Sequence, residues 1–420
     1  MRVLVVSHTV PLPPMDGLRV QVIALVRELA RRHEVCVVGY RWPDQHGEPP
    51  PGVEMVALDA PPREPFLTRA RGRARATATL RPREVLLLKE RLRAATAHAL
   101  ATRPPFDVLH VTPSILAGVA TAAPGLPKVL AAVDHWPHVM RDDARGAGPL
   151  VRARAAVEVR AIGLHERRTF PAYSTVVYVS PDDAAAGAAA IPGLRTAVIP
   201  NGVDVERFRP PDRAAAREPA TLAFTGILSY RPNVEAAQAL AERVLPRVAA
   251  RRPDARVALV GRDPAPEVRA LASGRVTVTG EVPDVAPWLQ AAAVFACPMQ
   301  SGTGIKNKLL EAMACGCPCV ATPLACRGLD VRHGEQLLIA GGDDAFAAAV
   351  LRLLDDPALA RRLGAQARAH VAEHASWAAF ARAHERLYER VVDEVRERAR
   401  DRGGGGGPSD AAREPVAVVT

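Results

Sequence analysis

The chain has 420 residues, enough for two domains of ordinary size, each with its own core. A formal charge of +10 and a pI near 9.8 favour anionic partners, while the lack of aromatic stacking motifs and of a known module argues against nucleic acid. No apolar run reaches the length of a membrane span. Met1-Arg2 leads straight into Val3-Leu-Val-Val6, too short for export, so a cytoplasmic protein is expected.

The amino-terminal part alternates strand and helix. Arg2 to Val6 reads as a buried parallel strand, followed by the loop Ser7 to Gly17, an amphipathic helix from about Leu18 to Arg32, and the strand Glu34 to Val38. The loop carries one glycine at the helix start, Gly17, and no G-x-G-x-x-G fingerprint. A short strand, Val53 to Leu58, precedes a strongly basic segment, 69–83, with Arg69, Arg71, Arg73, Arg75, Arg81 and Arg83. Flanked by Phe66, Leu67 and Val85 to Leu88, it suits peripheral contact with an anionic membrane as well as a solvated helix face. Asp107 to Val111 and Lys128 to Val133 read as further strands. The second ends at Asp134-His135, and chemistry in open α/β sheets lies beyond strand carboxyl ends, which makes Asp134 the first candidate and His135 the second. A helix from about Val151 to Phe170 and a strand from Ser174 to Val179 follow.

Thr196-Ala-Val-Ile-Pro-Asn-Gly-Val-Asp204 marks a domain junction, with Asn201-Gly202 supplying a tight turn. Strands at Thr221 to Thr225, Arg256 to Val260 and Arg275 to Val278 repeat the alternation, and a helix precedes Ala250. The richest stretch follows the apolar strand Ala291 to Ala296. There Gly302 and Gly304 allow close backbone approach, Leu309, Leu310 and Met313 share a helix face, and Gly316 sits where a left-handed cap stops the helix. Unpaired amides at that helix start, with Lys306 and Lys308, have the chemistry of an anion site such as a phosphate, and on spacing alone suit a solvated helix start with surface lysines equally well. Glu311, on the face of Lys308 and Asn307, can accept bonds from two ribose hydroxyls. The cysteine run 315, 317, 319 straddles a helix end, a turn and a strand, so the six cysteines read as reduced and structural, with no metal. Helical patterns fill Asp343 to Ala372 and Trp377 to Arg400, and Arg402 onward is low-complexity sequence.

Three stretches carry a resemblance: the Pro-rich loop before Gly17, Ile199-Pro-Asn-Gly-Val-Asp204, and the run from Ser301 to Thr322. They resemble the family 4 retaining glycosyltransferases, which have the GT-B architecture, and the likeness extends to about residue 390. It implies two Rossmann-like α/β domains facing across a cleft: an acceptor-side domain at 1–195 and a nucleotide-sugar domain at 196–375. A helix over 376–400 would cross back to the first domain, and a disordered tail would occupy 403–420. In that family two glutamates, seven residues apart, occupy the last strand–helix junction. The second corresponds to Glu311, on the donor ribose; the first falls on Thr303, as in a branch with the Gly304-Ile305-x-Asn-Lys type of helix start. The resemblance also assigns Gly17 and Gly226 to the donor phosphates, Arg231 as a stand-in for a missing lysine, and Glu281 and Val282 to the base.

The reaction implied moves a sugar from a nucleotide diphosphate to an acceptor hydroxyl with retention, in polysaccharide or glycoconjugate synthesis. Asp134, Lys306 and Lys308 are the catalytic candidates, the last two with the Gly302 to Ile305 backbone neutralising the leaving diphosphate without a divalent metal. The acceptor is a carbohydrate, lipid-linked or small molecule. A nucleotide-sugar epimerase and a non-catalytic nucleotide-sugar-binding protein, the latter suggested by Thr303, are the alternatives.

Overall fold

The computed structural model describes residues 1–10, 12, 17–43, 45–61, 79–80, 82–144, 148–211, 218–302 and 304–403. Thr303, the basic segment through 78 together with Arg81, and the tail beyond 403 lie outside the described residues. The chain divides into two compact units, Met1–Ile199 with the segment from Phe380 onward, and Pro200–Ala379.

The first unit is a seven-stranded parallel sheet in the order β3-β2-β1-β4-β5-β6-β7. Its strands are β1 (Arg2–Ser7), β2 (Glu34–Arg41), β3 (Val53–Asp59), β4 (Val108–Thr112), β5 (Lys128–Val133), β6 (Thr175–Tyr178) and β7 (Thr196–Val198). Near-continuous runs of valine and leucine fit a sheet covered on both faces. The covering helices are α1 (Gly17–Leu29), α2 (Arg83–Thr102), α3 (Trp136–Asp143), α4 (Pro149–Thr169) and α5 (Pro181–Ala190). The order reverses between β1 and β4, which pair with each other in register from Val3 against Val108.

The second unit repeats the plan with six parallel strands in the order β10-β9-β8-β11-β12-β13. These are β8 (Thr221–Thr225), β9 (Arg256–Val260), β10 (Val276–Val278), β11 (Val294–Cys297), β12 (Cys319–Ala321) and β13 (Leu338–Ile339). Its helices are α6 (Arg231–Gln238), α7 (Pro266–Arg269), α8 (Ala286–Ala291), α9 (Asn307–Ala314), α10 (Asp343–Asp355) and α11 (Pro357–His374), and α12 (Trp377–Gly403) begins at its end. Here the order reverses between β8 and β11. Both units are thus the Rossmann-like α/β domains the alternation implies.

Three local outcomes differ from the sequence reading. Thr196–Val198 opens the second domain on the sequence, yet its backbone ladders with β6 (Val177 against Ala197), which keeps it in the first sheet. The single pattern from Asp343 to Ala372 splits because Pro357 has no N–H to continue a helix and Asp356 caps a new one, accepting from Ala358 and Leu359 at 3.1 and 2.9 Å. The helix before Ala250 widens into a π turn over Ala239–Val244 just before Pro246, which removes one rung of the ladder. All six cysteines are buried, and none is in a disulfide. Among the described residues no helix is long and apolar enough to cross a membrane.

From Phe380 on, α12 packs within the first unit. Tyr388 bonds His110 at 2.8 Å, Glu385 takes Arg32 and His33 at 2.8 and 2.6 Å, and Glu394 takes Arg195 at 2.7 Å. Burial holds His384 down at about 4 and His110 well below its ordinary value. An unfolded chain binds protons near pH 6.5 that these rings refuse, so stability rises with pH through that window. His384 alone should cost about 2 kcal/mol at pH 5 relative to pH 8. Urea midpoints at pH 8 and pH 5 test this, and His384→Leu should flatten the difference.

Candidate functional site

The carboxyl edge of the second sheet is built from loops that glycine alone allows. Gly226 follows β8 with φ +155° and Gly261 follows β9 with φ +153°. A side-chain carbon on Gly261 would stand 1.7 Å from the Gly226 carbonyl, so these two backbones touch. A carbon on Gly226 would stand 2.8 Å from Asn233 Nδ2 and 3.2 Å from Lys308 Nζ. Gly261 N–H reaches Thr279 Oγ1 at 3.4 Å, and Thr279 donates to the Gly280 carbonyl at 2.8 Å, which ties in the loop after β10. On the other side Gly302, φ +96°, lies against Pro232, whose ring carbons a side chain there would meet at 3.2 Å. The loops after β10, β9, β8 and β11 therefore form one shelf, and its middle is the switch point between β8 and β11. Ligands of open α/β sheets sit at such points.

Lys308 is the cation of this shelf. It stands in the first turn of α9, donates to Asn233 Oδ1, and lies 4.8 Å over the Phe224 ring. Lost hydration holds its ammonium below the usual lysine range, so the charge lacks water that a ligand anion can replace. Lys306 has a different post. At 6% exposure its ammonium donates to the carbonyls of Gly302 and Gly304 at 3.0 and 2.7 Å, bracing the turn whose amides it was expected to assist. Gly304, φ +70°, continues that turn, and Ile305 packs on the core.

One turn further, Glu311 is half-buried, and burial pushes its carboxyl up to about 7 against the pull of Arg207 and Lys308. Arg207 is itself paired with Asp284 at 2.9 Å. Asn307 receives the Asn201 amide at 3.2 Å, which connects the junction turn to the same helix start. Arg231 is exposed and bonds Glu235 at 2.9 Å, and Glu235 accepts from Ser301. Arg231 is thus tied to the β11 loop through a carboxylate. Glu281 is exposed and Val282 half-buried, both just past Gly280 in the loop after β10. The helix ends as its sequence implies. Gly316 takes φ +63°, its N–H reaches Met313, and Cys317 N–H reaches Ala312 at 3.0 Å, the paired bonds of a Schellman cap.

The remaining candidates belong to the first unit. Gly17 opens α1 with open space beside its Cα, and positions 13–16 before it lie outside the described residues. Asp134 is half-buried directly after Val133, which takes φ +72°. Positive φ on a β-branched residue is strained, and the ladder with β6 slips at the same place, between Ala131 and Val133. The bulge turns Asp134 out of the strand's alternation. His135 is buried instead, at 4% exposure. Sequence reasoning passed over Asn233 and Gly261, which complete the shelf, and Arg207, whose charge acts on Glu311; a glycine directly after a strand, as at both 226 and 261, was the available signal.

Residues 15–207 match the family model described as Glycosyltransferase Family 4, and residues 219–356 the one described as Glycosyl transferases group 1. The GDP-mannose-dependent monoacylated alpha-(1-6)-phosphatidylinositol monomannoside mannosyltransferase of Corynebacterium glutamicum is 34% identical over 203 residues, 43% of this chain and 52% of that protein. The phosphatidyl-myo-inositol mannosyltransferase of Mycolicibacterium smegmatis is 35% identical over 185 residues, 42% of this chain and 47% of that one. The chain spans about half the length of the curated relatives it matches. Among solved structures, the sucrose-phosphate synthase from Thermosynechococcus elongatus superposes with a TM-score of 0.66 at 21% identity, over 94% of this chain and 100% of that one. Anabaena HepE in complex with UDP gives 0.62 at 16% identity, over 93% and 100%. These likenesses show the fold, a pair of parallel-sheet Rossmann-like domains.

Proposed function

We propose, from two matched models that support a family 4 glycosyltransferase of GT-B architecture, that this chain moves a sugar from a nucleotide diphosphate to an acceptor hydroxyl with retention of configuration. The observation that carries the reading is the glycine shelf at the β8–β11 switch point, with Lys308 set in it. A diphosphate on the shelf meets backbone amides and one poorly hydrated ammonium, which stabilise the leaving group as the glycosidic bond breaks. Glu311 accepts the ribose hydroxyls, and the segment at Glu281 and Val282 meets the base. Asp134 orients a hydroxyl of donor sugar or acceptor. Thr303 in place of a glutamate is a branch variation that alters the contact with the donor sugar.

The charge is carried by Lys308 and the amides, so activity should survive EDTA. The HepE structure holding UDP and the mannosyltransferase relatives support a nucleotide-sugar donor and an inositol-containing or lipid-linked acceptor. We place the reaction at the cytoplasmic face of a membrane, touched by the basic segment 69–83; flotation with anionic vesicles tests that contact. An epimerase or a mere sensor is disfavoured, because both halves match transferase models. Epimer accumulating from donor without acceptor would reverse that preference.

Thermal shift against UDP-, GDP- and ADP-sugars identifies the donor, and transfer assays follow. Glu311→Ala should raise the donor KM about ten-fold to a hundred-fold, the worth of bonds to a charged acceptor. With the carboxyl at about 7 before binding and ionised after it, donor affinity should rise with pH up to about 7 and then level. Unchanged kinetics in Glu311→Ala would remove that residue from the ribose.

A further inference from the structure

The first unit holds a pocket of about 530 Å³ between α3, α4 and α5, away from every group used above except His135 and its neighbour Asp134. Two nearly inaccessible ionisable side chains line it, His135 at 4% exposure and Glu166 at 3%, with His135 Nε2 3.8 Å from Glu166 Oε2. Neither ring nitrogen of His135 has a hydrogen-bond partner among the described residues. The buried Tyr178 hydroxyl close by is likewise without one. Unmade bonds on buried polar atoms cost about 1–3 kcal/mol each, and a fold keeps them where something else fills them.

Gly163 is the second observation. It lies in the middle of α4, where glycine costs about 1 kcal/mol relative to alanine. It is not needed for close packing, since a side-chain carbon there would meet nothing within 4 Å. Its backbone instead leaves the pocket wall open, facing Ala186 and Ala189 of α5 across the space.

We propose that this pocket is a binding site for a small polyhydroxylated molecule, a polyol or monosaccharide, separate from the shelf of the second unit. Each hydroxyl both donates and accepts, and so do a neutral imidazole and a protonated carboxyl. Burial lowers the affinity of His135 for a proton and raises Glu166 to about 8, so both are uncharged at neutral pH. Small walls of glycine and alanine suit the C–H faces of such a ligand. Asp183 lies 3.2 Å from the His135 amide and 3.9 Å from His138 and disfavours an anion at the base, although Arg141 and Arg167 also line the pocket.

The test uses the full chain, with ligand-detected NMR and calorimetry against glucose, myo-inositol and sorbitol, and inorganic phosphate as the anionic arm. Saturable polyol binding is expected. Gly163→Leu, which fills the pocket from its own wall, should weaken it at least ten-fold while the melting temperature holds or rises and nucleotide-diphosphate binding is unchanged. Ala189→Leu does the same from the opposite wall should the first variant fold poorly, and His135→Phe should also weaken binding. The absence of saturable polyol binding, an affinity untouched by both wall variants, or phosphate binding in the polyol's place overturns the proposal. The readout is binding alone, so its failure is distinct from failure of the transferase reading.

Discussion

Lys308→Met should lower kcat for sugar transfer by about 10²–10³-fold, the usual loss when one preorganised charge is removed from a developing anion. The reason lies in where the ammonium sits. It is held by Asn233 and Phe224 under Gly226, where a single added carbon would approach it to 3.2 Å. Its pKa is held below the usual lysine range by lost hydration, so the unliganded fold bears a cost for keeping it charged. Methionine matches its length and relieves that cost, so the melting temperature should hold or rise while activity collapses. A variant that transfers sugar at the normal rate would show that the diphosphate is neutralised elsewhere. Lys306→Met should separate the two lysines. Its ammonium braces the Gly302 and Gly304 carbonyls, so its loss should lower stability together with activity.

Gly261→Ala should destabilise the second unit by about 3–5 kcal/mol, combining the strain of a positive φ with overpacking against backbone. The added carbon would fall 1.7 Å from the Gly226 carbonyl, and neither backbone can swing aside as a side chain would. A drop of about 10 °C or more in the transition of that unit follows, measured by calorimetry. Donor binding should weaken in parallel, because the same displacement moves Gly226. Gly274→Ala is the control: a carbon there meets nothing within 4 Å, and it should melt like the parent.

Much of the shelf was legible before any coordinates. The helix over 307–314 announces itself through Leu309, Leu310 and Met313 on one face and Gly316 at its end, and the cap forms as those residues imply. The strands ending at Gly226, Gly261 and Asp134 were likewise readable, because buried parallel strands are nearly unbroken apolar runs. The roles of individual polar groups were not. Lys306 and Lys308 look equivalent as neighbours of two glycines, yet one turns inward to carbonyls and the other toward Asn233, 75 residues away along the chain. His135 and Asp134 are adjacent, and a bulge at Val133 sends them to different surroundings.

Sequence alone determined the alternation of strand and helix, the presence of two α/β domains, Gly302 and Gly304 where backbone must pass close, and the cap at Gly316, since each depends on residues within a few positions of one another. Tertiary structure decided which strand Thr196–Val198 joins, which lysine faces the shelf, and that His135 and Glu166 line one pocket. Those outcomes depend on partners dozens of residues away, brought together only by sheet order, and on burial, which sets the charge of a side chain without leaving any mark in its local sequence.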